Sequence, residues 1–167
     1  RYGVLYRFGG VYLDTDTIAI RPLDPLIEGD SPFGVCELPM SRWGKRYEEH
    51  CRFMCNGIIG TPAHEPMMQR AFEQAQINAA LEHPKMKVSW ITGPKLFTNS
   101  TVGEITVLAA TTFLPCSWKD TTMCDLERFK TLPNVFAMHS WTASWSTKSV
   151  FQNDSQWVPV WDRLPKN

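Results

Sequence analysis

The sequence predicts an α/β domain, and three observations favour that class. Short apolar and β-branched runs alternate along the chain with segments whose apolar residues recur every three or four positions. The chain has 167 residues, which is about the length of one domain. Apolar residues make up 43% and charged residues 20% of it, as in ordinary globular proteins. We therefore expect one core built from strands and helices.

The chain begins with a predicted helix that ends at a glycine. Its apolar residues recur at helical spacing and are Tyr2, Leu5 and Phe8. Gly9 or Gly10 supplies the left-handed residue that commonly stops a helix. Residues 11–13 then form a short apolar run, and residues 17–20 alternate and are rich in β-branched side chains, so both predict strands.

Later elements follow the same alternation. Pro22 and Pro25 predict an irregular connection after the second strand. The remaining strand candidates are residues 33–37, 53–59, 105–108 and 135–138. We expect the candidate at 53–59 to be broken by Asn56-Gly57. Helices are predicted over residues 64–81, with an apolar face of Met67, Met68, Ala71, Phe72 and Ala75, and over residues 92–99, with Thr92 as the cap. Residues 39–52 and the tail from Asp154 predict surface segments.

Charge and composition exclude several classes of function. Seventeen basic and seventeen acidic residues cancel, so nothing indicates a nucleic-acid or membrane-surface partner. No apolar run approaches the roughly 20 residues needed to span a bilayer. The five cysteines have no histidine at zinc spacing, and we expect buried free thiols at Cys36, Cys51, Cys55, Cys116 and Cys124.

Two carboxylates stand one residue apart at the end of the first predicted strand. Asp14 and Asp16 follow the apolar run at 11–13. Like charges in a partly dry site repel each other, and a divalent cation removes that repulsion. Hard cations such as Mg²⁺ and Mn²⁺ prefer carboxylate oxygen. The pattern predicts a metal site that holds a diphosphate, whereas an Asp-x-Asp in an ordinary turn is a solvated pair.

The residues around this pair resemble the D-x-D core of glycosyltransferase family 32. The similarity begins at Arg1-Tyr2 and Leu5-Tyr6 and continues through residues 9–16, which read GGVYLDTD. Weaker blocks follow in the expected order to about residue 145: Asn56-Gly57-Ile58-Ile59, Pro62, Thr92-Gly93-Pro94, His139-Ser140-Trp141 and Ser144-Trp145. The family holds yeast initiating α-1,6-mannosyltransferases and α-1,4-galactosyltransferases, and its core is shared by the large clostridial glucosylating toxins.

The resemblance implies a GT-A fold, a Rossmann-like nucleotide-sugar transferase domain with a mixed sheet flanked by helices. The first strands of that family, which bind the nucleotide base, lie upstream of this region, so we expect a fragment that lacks these N-terminal strands. We interpret residues 1–167 as one catalytic-domain fragment. Its parts are a D-x-D core at 1–26, the C-terminal part of the domain at 27–150 and a surface tail at 151–167.

The resemblance also implies transfer of a sugar from a UDP- or GDP-sugar to a glycan or other acceptor, with retention of configuration. Such enzymes need Mn²⁺ or Mg²⁺ at the D-x-D motif, because the leaving diphosphate gains negative charge as the glycosidic bond breaks. Polysaccharide biosynthesis is a typical setting. The compartment stays open between the bacterial cytoplasm and, for part of a membrane-anchored protein, the Golgi lumen.

Site roles follow from the resemblance residue by residue. Asp16 is expected to ligate the metal directly, and Asp14 to contact the ribose and sugar hydroxyls and reach the metal through water. Arg1 is expected to contact the donor sugar and phosphate, and Tyr12 to line the donor pocket. A simpler interpretation of Arg1 is a solvated helix residue.

Three downstream residues complete the implied site. Asn56 offers an amide to the donor or acceptor sugar, His139 supplies a further metal ligand, and Trp145 closes over the diphosphate. The alternatives are a strand-end histidine bonded to backbone at position 139, and core positions for Trp141 and Trp145.

Two rival interpretations remain open. Residues 11–17 also fit the first motif of haloacid-dehalogenase phosphatases, with Asp14 as nucleophile, Asp16 as general acid/base and Mg²⁺ at the phosphate. That family needs a downstream acidic pair, which the sequence does not contain in the expected form. The other rival is a non-catalytic sugar- or metal-binding module that keeps both aspartates without turnover.

Overall fold

The computed structural model describes residues 1–37, 53–81, 87–101, 103–116 and 124–141. In these ranges the helices are α1 (Tyr2–Phe8), α2 (Asp24–Ile27), α3 (Pro66–Ala80), α4 (Val88–Ile91), α5 (Pro94–Thr101) and α6 (Leu126–Lys130). The strands are β1 (Gly10–Leu13), β2 (Thr17–Ala19), β3 (Phe33–Cys36), β4 (Met54–Thr61), β5 (Thr106–Leu108) and β6 (Ala137–His139). The surface segments predicted at 39–52 and from Asp154 lie outside the described residues.

Four of the strands form a mixed sheet in the order β1-β4-β3-β5. β4 runs antiparallel to both of its neighbours, β1 and β3, whereas β3 and β5 are parallel. The other two strands, β2 and β6, form a separate antiparallel pair. The predicted α/β class with a mixed sheet flanked by helices is confirmed.

Apolar side chains cover both faces of the four-stranded sheet. On one face, α1, α3 and α5 pack against β4, with a buried cluster of Tyr2, Leu5, Met54, Ile59, Met67, Met68, Ala71, Leu96 and Phe97. The other face carries a second cluster of Phe33, Val35, Cys55, Ile58, Phe113, Leu114 and Ala137. Because β1 and β4 are sandwiched between these clusters, the loop that follows β1 is held on a rigid base.

The first helix ends at Gly9, as its sequence predicts. The backbone N–H of Gly9 donates to the carbonyl of Leu5, and Gly9 has a φ of 64°. A Cβ at this position would lie 2.5 Å from the backbone nitrogen of Ala63. Glycine is therefore needed for the left-handed conformation and also for the close approach of the chain after β4.

The strand that was expected to break at Asn56-Gly57 is continuous from Met54 to Thr61, and all eight of its residues are buried. The turn-like pair appears instead as an irregularity in register. Gly34 of β3 pairs with Ile59 of β4, and the next pair is Cys36 with Met54. The two strands therefore use different numbers of residues between the same two pairs. Pairing with a strand on each side overrides the local turn preference, and the extra residues of β4 form a bulge beside the acidic loop.

Helix boundaries differ from expectation at several places. Thr92, expected to cap the start of a helix, ends the short helix α4, which had no sequence prediction of its own. The connection after β2 contains α2, because Pro25 is tolerated in a first helical turn. Phe72 was expected on the buried face of α3 but is 40% exposed, and the edge of its ring lies against Gly3 of α1.

The expectation of buried free thiols is wrong for three cysteines and correct for Cys55, and Cys51 lies outside the described residues. Cys116 and Cys124 form a disulfide with a Cα–Cα distance of 5.2 Å, and Cys36 is also disulfide-bonded. Cys55 is free and buried, and burial raises the pKa of its thiol to about 12. Sequence spacing does not define which cysteines meet in space, so the pairing was not predictable.

The helices of the described residues are short or polar compared with a membrane span. None of their helices combines the length and the apolar character needed to cross a membrane.

Candidate metal and donor site

The Asp-x-Asp pair lies in a closed turn between β1 and β2. The backbone N–H of Asp14 donates to the carbonyl of Gly57 at 2.8 Å, which ties the turn to the bulge of β4. The N–H of Thr17 donates to the carbonyl of Asp14 at 3.0 Å and starts β2. The carboxylates of Asp14 and Asp16 are both half-buried. The turn is therefore fixed at both ends before any ligand arrives.

The second sheet brings His139 to this turn. In the antiparallel register of β2 and β6, Thr17 lies opposite His139. The backbone N–H and the hydroxyl of Ser140 both donate to the carbonyl of Asp16, at 2.8 Å and 2.6 Å. These bonds fix the position of β6 beside the acidic pair, so that a residue from the far end of the described chain joins the site.

Three side chains of metal-ligating type meet here. Nε2 of His139 lies 3.4 Å from Oδ1 of Asp16 and 3.8 Å from Oδ2 of Asp14. One ligand atom from each residue falls within 4.8 Å of the others. Two carboxylates and one imidazole form a donor set that suits Mn²⁺ or Mg²⁺. Within the described residues, the structure thus brings together the three metal ligands expected from the sequence.

Trp141 contacts the imidazole of His139 on the side away from the aspartates. Its indole lies against the ring of His139 with a centroid distance of 4.2 Å. Its backbone N–H donates to Nδ1 of His139 at 3.2 Å, and its Nε1–H donates to the carbonyl of Cys116 at 3.1 Å. His139 is only 6% exposed, and its Nε2 edge faces the two aspartates.

Arg1 and Tyr12 form the other side of the acidic pair. The hydroxyl of Tyr12 donates to Oδ1 of Asp14 at 2.8 Å. Nη1 of Arg1 lies 3.3 Å from the same oxygen, and the guanidinium stands 4.7 Å from the centre of the Tyr12 ring. The guanidinium of Arg1 is therefore held beside the acidic pair although the residue is exposed, and it has further N–H donors for an anionic ligand.

Electrostatics keep Asp14 ionised and Tyr12 neutral. Burial alone would raise the pKa of Asp14, but the nearby imidazole of His139, the hydrogen bond from Tyr12 and the charge of Arg1 lower it below its usual value. Burial, together with the hydrogen bond to Asp14, raises the pKa of Tyr12 to about 12. At neutral pH the site thus presents a carboxylate with a phenol that donates to it.

Asn56 belongs to the wall of the site. Its backbone carbonyl accepts a hydrogen bond from Nη1 of Arg1 at 2.5 Å. Its side-chain Nδ2 donates to the hydroxyl of Tyr2 at 3.2 Å and to the carbonyl of Thr92 at 3.1 Å. Asn56 thus connects Arg1 to the α4–α5 turn. Trp145, expected to close over the diphosphate, lies outside the described residues.

Two residues of the site had no predicted role. A Cβ on Gly57 would lie 2.5 Å from Oδ2 of Asp14, so glycine is required for the close approach of that carboxylate. A glycine inside a strand is the sequence signal for such an approach. Glu37, directly after β3, has a pKa raised by burial and partly lowered again by His139. A glutamate at a strand end carries no comparable signal in the sequence.

A family comparison bears on this part of the chain. Residues 1–32 match the family model described as the glycosyltransferase sugar-binding region containing the DXD motif. The matched segment contains Arg1, Tyr12 and both aspartates, whereas His139 comes from outside it. The match supports a glycosyltransferase, and it does not extend to the nucleotide, the sugar or the metal.

Two further comparisons concern whole protein sequences and solved structures. No curated protein sequence matches this chain. Among solved structures, one entitled PaToxG Glycosyltransferase is similar, with 19% sequence identity and a TM-score of 0.43. The similarity covers 80% of this chain and 42% of that chain, so this sequence spans less than half the length of that structure.

Proposed function

We propose that this chain is the D-x-D region of a metal-dependent glycosyltransferase, which moves a sugar from a UDP- or GDP-sugar to a glycan or other acceptor. The observation that carries the proposal is the meeting of Asp14, Asp16 and His139 within 4.8 Å, at the segment that matches the DXD family model. A GT-A fold and retention of configuration belong to the same proposal and rest on the resemblance of the sequence blocks.

The metal is held in this proposal by Asp16, Asp14 and His139. When bound, Mn²⁺ or Mg²⁺ neutralises the negative charge that develops on the leaving nucleoside diphosphate. Asp16 and Asp14 supply hard oxygen ligands, and the buried ring of His139 approaches through Nε2. The fixed turn and the β2–β6 pairing keep the ligands in place, which lowers the ordering cost of binding.

Arg1, Tyr12 and Asp14 form the donor side of the proposed site. Arg1 keeps guanidinium donors for a phosphate or a sugar hydroxyl, since a guanidinium carries five N–H groups. The ring of Tyr12 packs under that guanidinium and its hydroxyl orients Asp14. Asp14 then accepts from ribose or sugar hydroxyls. Trp145 is proposed to close over the diphosphate.

Asn56 supports this donor side rather than the metal. Its amide nitrogen is engaged by Tyr2 and Thr92, so its Oδ1 is the atom proposed to accept from a sugar hydroxyl. Its backbone carbonyl holds the guanidinium of Arg1 beside Asp14. The residue thereby connects donor recognition to the turn between α4 and α5.

A thermal-shift series tests the proposal directly. The chain is heated with Mn²⁺ alone, with UDP or GDP alone, and with Mn²⁺ together with each nucleotide and its sugars. A ligand bound only by the native state stabilises it by about 2.7 kcal/mol at a hundredfold excess over its Kd. We expect a shift that needs both Mn²⁺ and one nucleotide, and that combination identifies the donor class. The absence of any shift would contradict a donor site in this chain.

Turnover separates the proposed enzyme from its rivals. Mn²⁺-dependent hydrolysis of the nucleotide-sugar supports the transferase, and an α-configured sugar as first product, seen by NMR, supports retention. Hydrolysis of a phosphate monoester such as p-nitrophenyl phosphate without sugar release would favour the phosphatase interpretation. Metal-dependent binding without either reaction would favour a binding module.

A further inference from the structure

A groove with a mixed polar and apolar lining lies on the helical side of the molecule, outside the metal site. It has a volume of about 410 Å³, within the roughly 300–1,000 Å³ typical of ligand pockets. Its lining residues come from α3, α4 and α5 and are Arg70, Gln74, Asn78, Trp90, Leu96, Asn99 and Ser100. The proposed donor site uses none of these residues, so the groove is a separate feature of the surface.

One wall of the groove is a stripe of planar polar side chains along α3. Arg70, Gln74 and Asn78 are spaced four residues apart and therefore lie on one face of the helix. Nε2 of Gln74 donates to Oδ1 of Asn78, and Nδ2 of Asn78 donates to the carbonyl of Trp90, each at 2.8 Å. The amides are thus oriented in advance, and Oε1 of Gln74 and the second N–H of each amide are left for a ligand.

The opposite wall contains an exposed indole. Trp90 on α4 is 43% exposed, and the ammonium of Lys95 stands 4.6 Å from the centre of its ring. An aromatic face beside amide groups is the usual environment of a pyranose ring, because the C–H face of the sugar packs on the indole while its hydroxyls bond to the amides.

Charge in the groove favours a neutral ligand. The guanidinium of Arg70 pairs with Glu104, with Nη2 2.6 Å from the carboxylate, and the same nitrogen donates to the carbonyl of Ser100. The remaining polar groups of the lining are uncharged amides and one hydroxyl. Lys95 is a second cation close to the groove, but it is not a lining residue, and its ammonium lies over the rings of Trp90 and Phe53.

The groove is joined to the donor site through α4. The side chain of Asn78 donates a hydrogen bond to the carbonyl of Trp90. Two residues later, the carbonyl of Thr92 accepts hydrogen bonds from Asn56 and Tyr2. Two residues of helix rise about 3 Å, so the groove begins within one helical turn of the contact made by Asn56. Asn56 in turn holds Arg1 beside Asp14.

We infer that this groove between α3 and α4–α5 binds a neutral oligosaccharide, with Trp90 as stacking platform and Gln74 and Asn78 as hydroxyl partners. Its role as the acceptor subsite rests on the proposed transferase function, whereas the binding of sugar by the groove does not.

Binding is measured by saturation-transfer NMR with neutral trisaccharides of mannose, glucose, galactose and N-acetylglucosamine. Wild type is compared with Gln74→Ala, Trp90→Ala and the control Gln76→Ala, which removes an exposed glutamine from a different face of the same helix. We expect at least one trisaccharide to bind, and its Kd to rise at least tenfold in Gln74→Ala and Trp90→Ala but not in Gln76→Ala. Because Gln74 is exposed, loss of the fold does not complicate that variant.

Two outcomes overturn the inference: wild type binds none of the four trisaccharides, or the Kd is the same in all variants. Metal-dependent hydrolysis of nucleotide-sugar by wild type is measured in parallel. If hydrolysis is absent while Gln74→Ala still abolishes trisaccharide binding, the groove stands as a sugar site and the transferase proposal fails. If hydrolysis is present and no trisaccharide binds, the transferase stands and the groove assignment fails.

Discussion

The backbone N–H of Trp141 donates to Nδ1 of His139 at 3.2 Å, so this nitrogen is the acceptor of the imidazole. A neutral imidazole has one acceptor and one N–H, and its N–H is then on Nε2, facing Asp14 and Asp16. A metal at Nε2 requires the opposite tautomer and the loss of the Trp141 contact. Coordination of a cation by His139 would therefore carry a cost that coordination by the two aspartates does not.

Replacing Asp16 should remove metal binding without unfolding the chain. Asp16→Ala eliminates a direct oxygen ligand, and a half-buried carboxylate repelled by Asp14 contributes little to stability. We expect Mn²⁺ affinity, measured by calorimetry, to fall by more than roughly tenfold. Asp30→Ala, which removes an exposed aspartate outside the site, serves as the control. Unchanged Mn²⁺ affinity in Asp16→Ala would show that Asp16 is not a ligand.

His139→Ala should weaken Mn²⁺ binding less than Asp16→Ala does. The imidazole gives up its contact with Trp141 when it coordinates, so its net contribution is smaller. Calorimetry on both variants gives the ranking. Equal losses in the two variants would mean that the tautomer in the free protein does not limit coordination.

Gly57→Ala should damage the metal site from β4. The new Cβ would stand 2.5 Å from Oδ2 of Asp14, and the carboxylate is the group that can move. We expect Mn²⁺ affinity to drop by roughly tenfold or more, as for other changes that misplace a ligand. Gly29→Ala is the matched control, since its Cβ would meet nothing within 4 Å. Wild-type affinity in Gly57→Ala would contradict the close packing of Asp14 on this strand.

The pH dependence of stability should change in Glu37→Gln. Burial raises the folded pKa of Glu37, so its protonated form is favoured in the native state. Its contribution to stability therefore declines as pH rises above 4.5, the ordinary pKa of a glutamate. Glutamine removes that decline. We expect urea unfolding at pH 7 to give a more stable variant than wild type, with the gain disappearing below about pH 4. A gain that persisted unchanged at low pH would point to packing instead.

Removing the Cys116–Cys124 disulfide should destabilise the fold and loosen the site. The double variant Cys116→Ser, Cys124→Ser releases a loop of sequence separation eight, which costs about 2–3 kcal/mol of unfolding free energy in the chain-entropy account. The serine pair is preferable to a reducing agent, because Cys36 is also disulfide-bonded. Urea denaturation measures the loss. Stability equal to that of wild type would mean that the bond does not constrain the unfolded chain.

Local signals in the sequence were sufficient for the parts of the site near Asp14. The helical spacing before Gly9, the short apolar strand and the paired carboxylates are all defined within sixteen residues. His139 was also expected in the site, although through the family resemblance and not through any local pattern. The structure brings these residues together, while their roles with metal and donor remain predictions.

Features set by distant contacts were not predictable. The continuity of β4 through Asn56 and Gly57 depends on strands on both sides, and the bulge depends on pairing with β3. The disulfide joins Cys116 and Cys124, and the spacing of cysteines in the sequence does not determine which of them pair. The helix α4 is only four residues long and is held by Asn78, so its own residues give too weak a signal.

The bond between Ser140 and the carbonyl of Asp16 spans 124 positions of the chain. Until that contact forms, the growing or refolding polypeptide has two aspartates in a turn and no histidine near them. Closure of so long a loop is slow and belongs to the late steps of folding. The complete Asp14–Asp16–His139 cluster can form only after this closure. In a refolding time course we therefore expect full Mn²⁺ affinity to appear later than the helices.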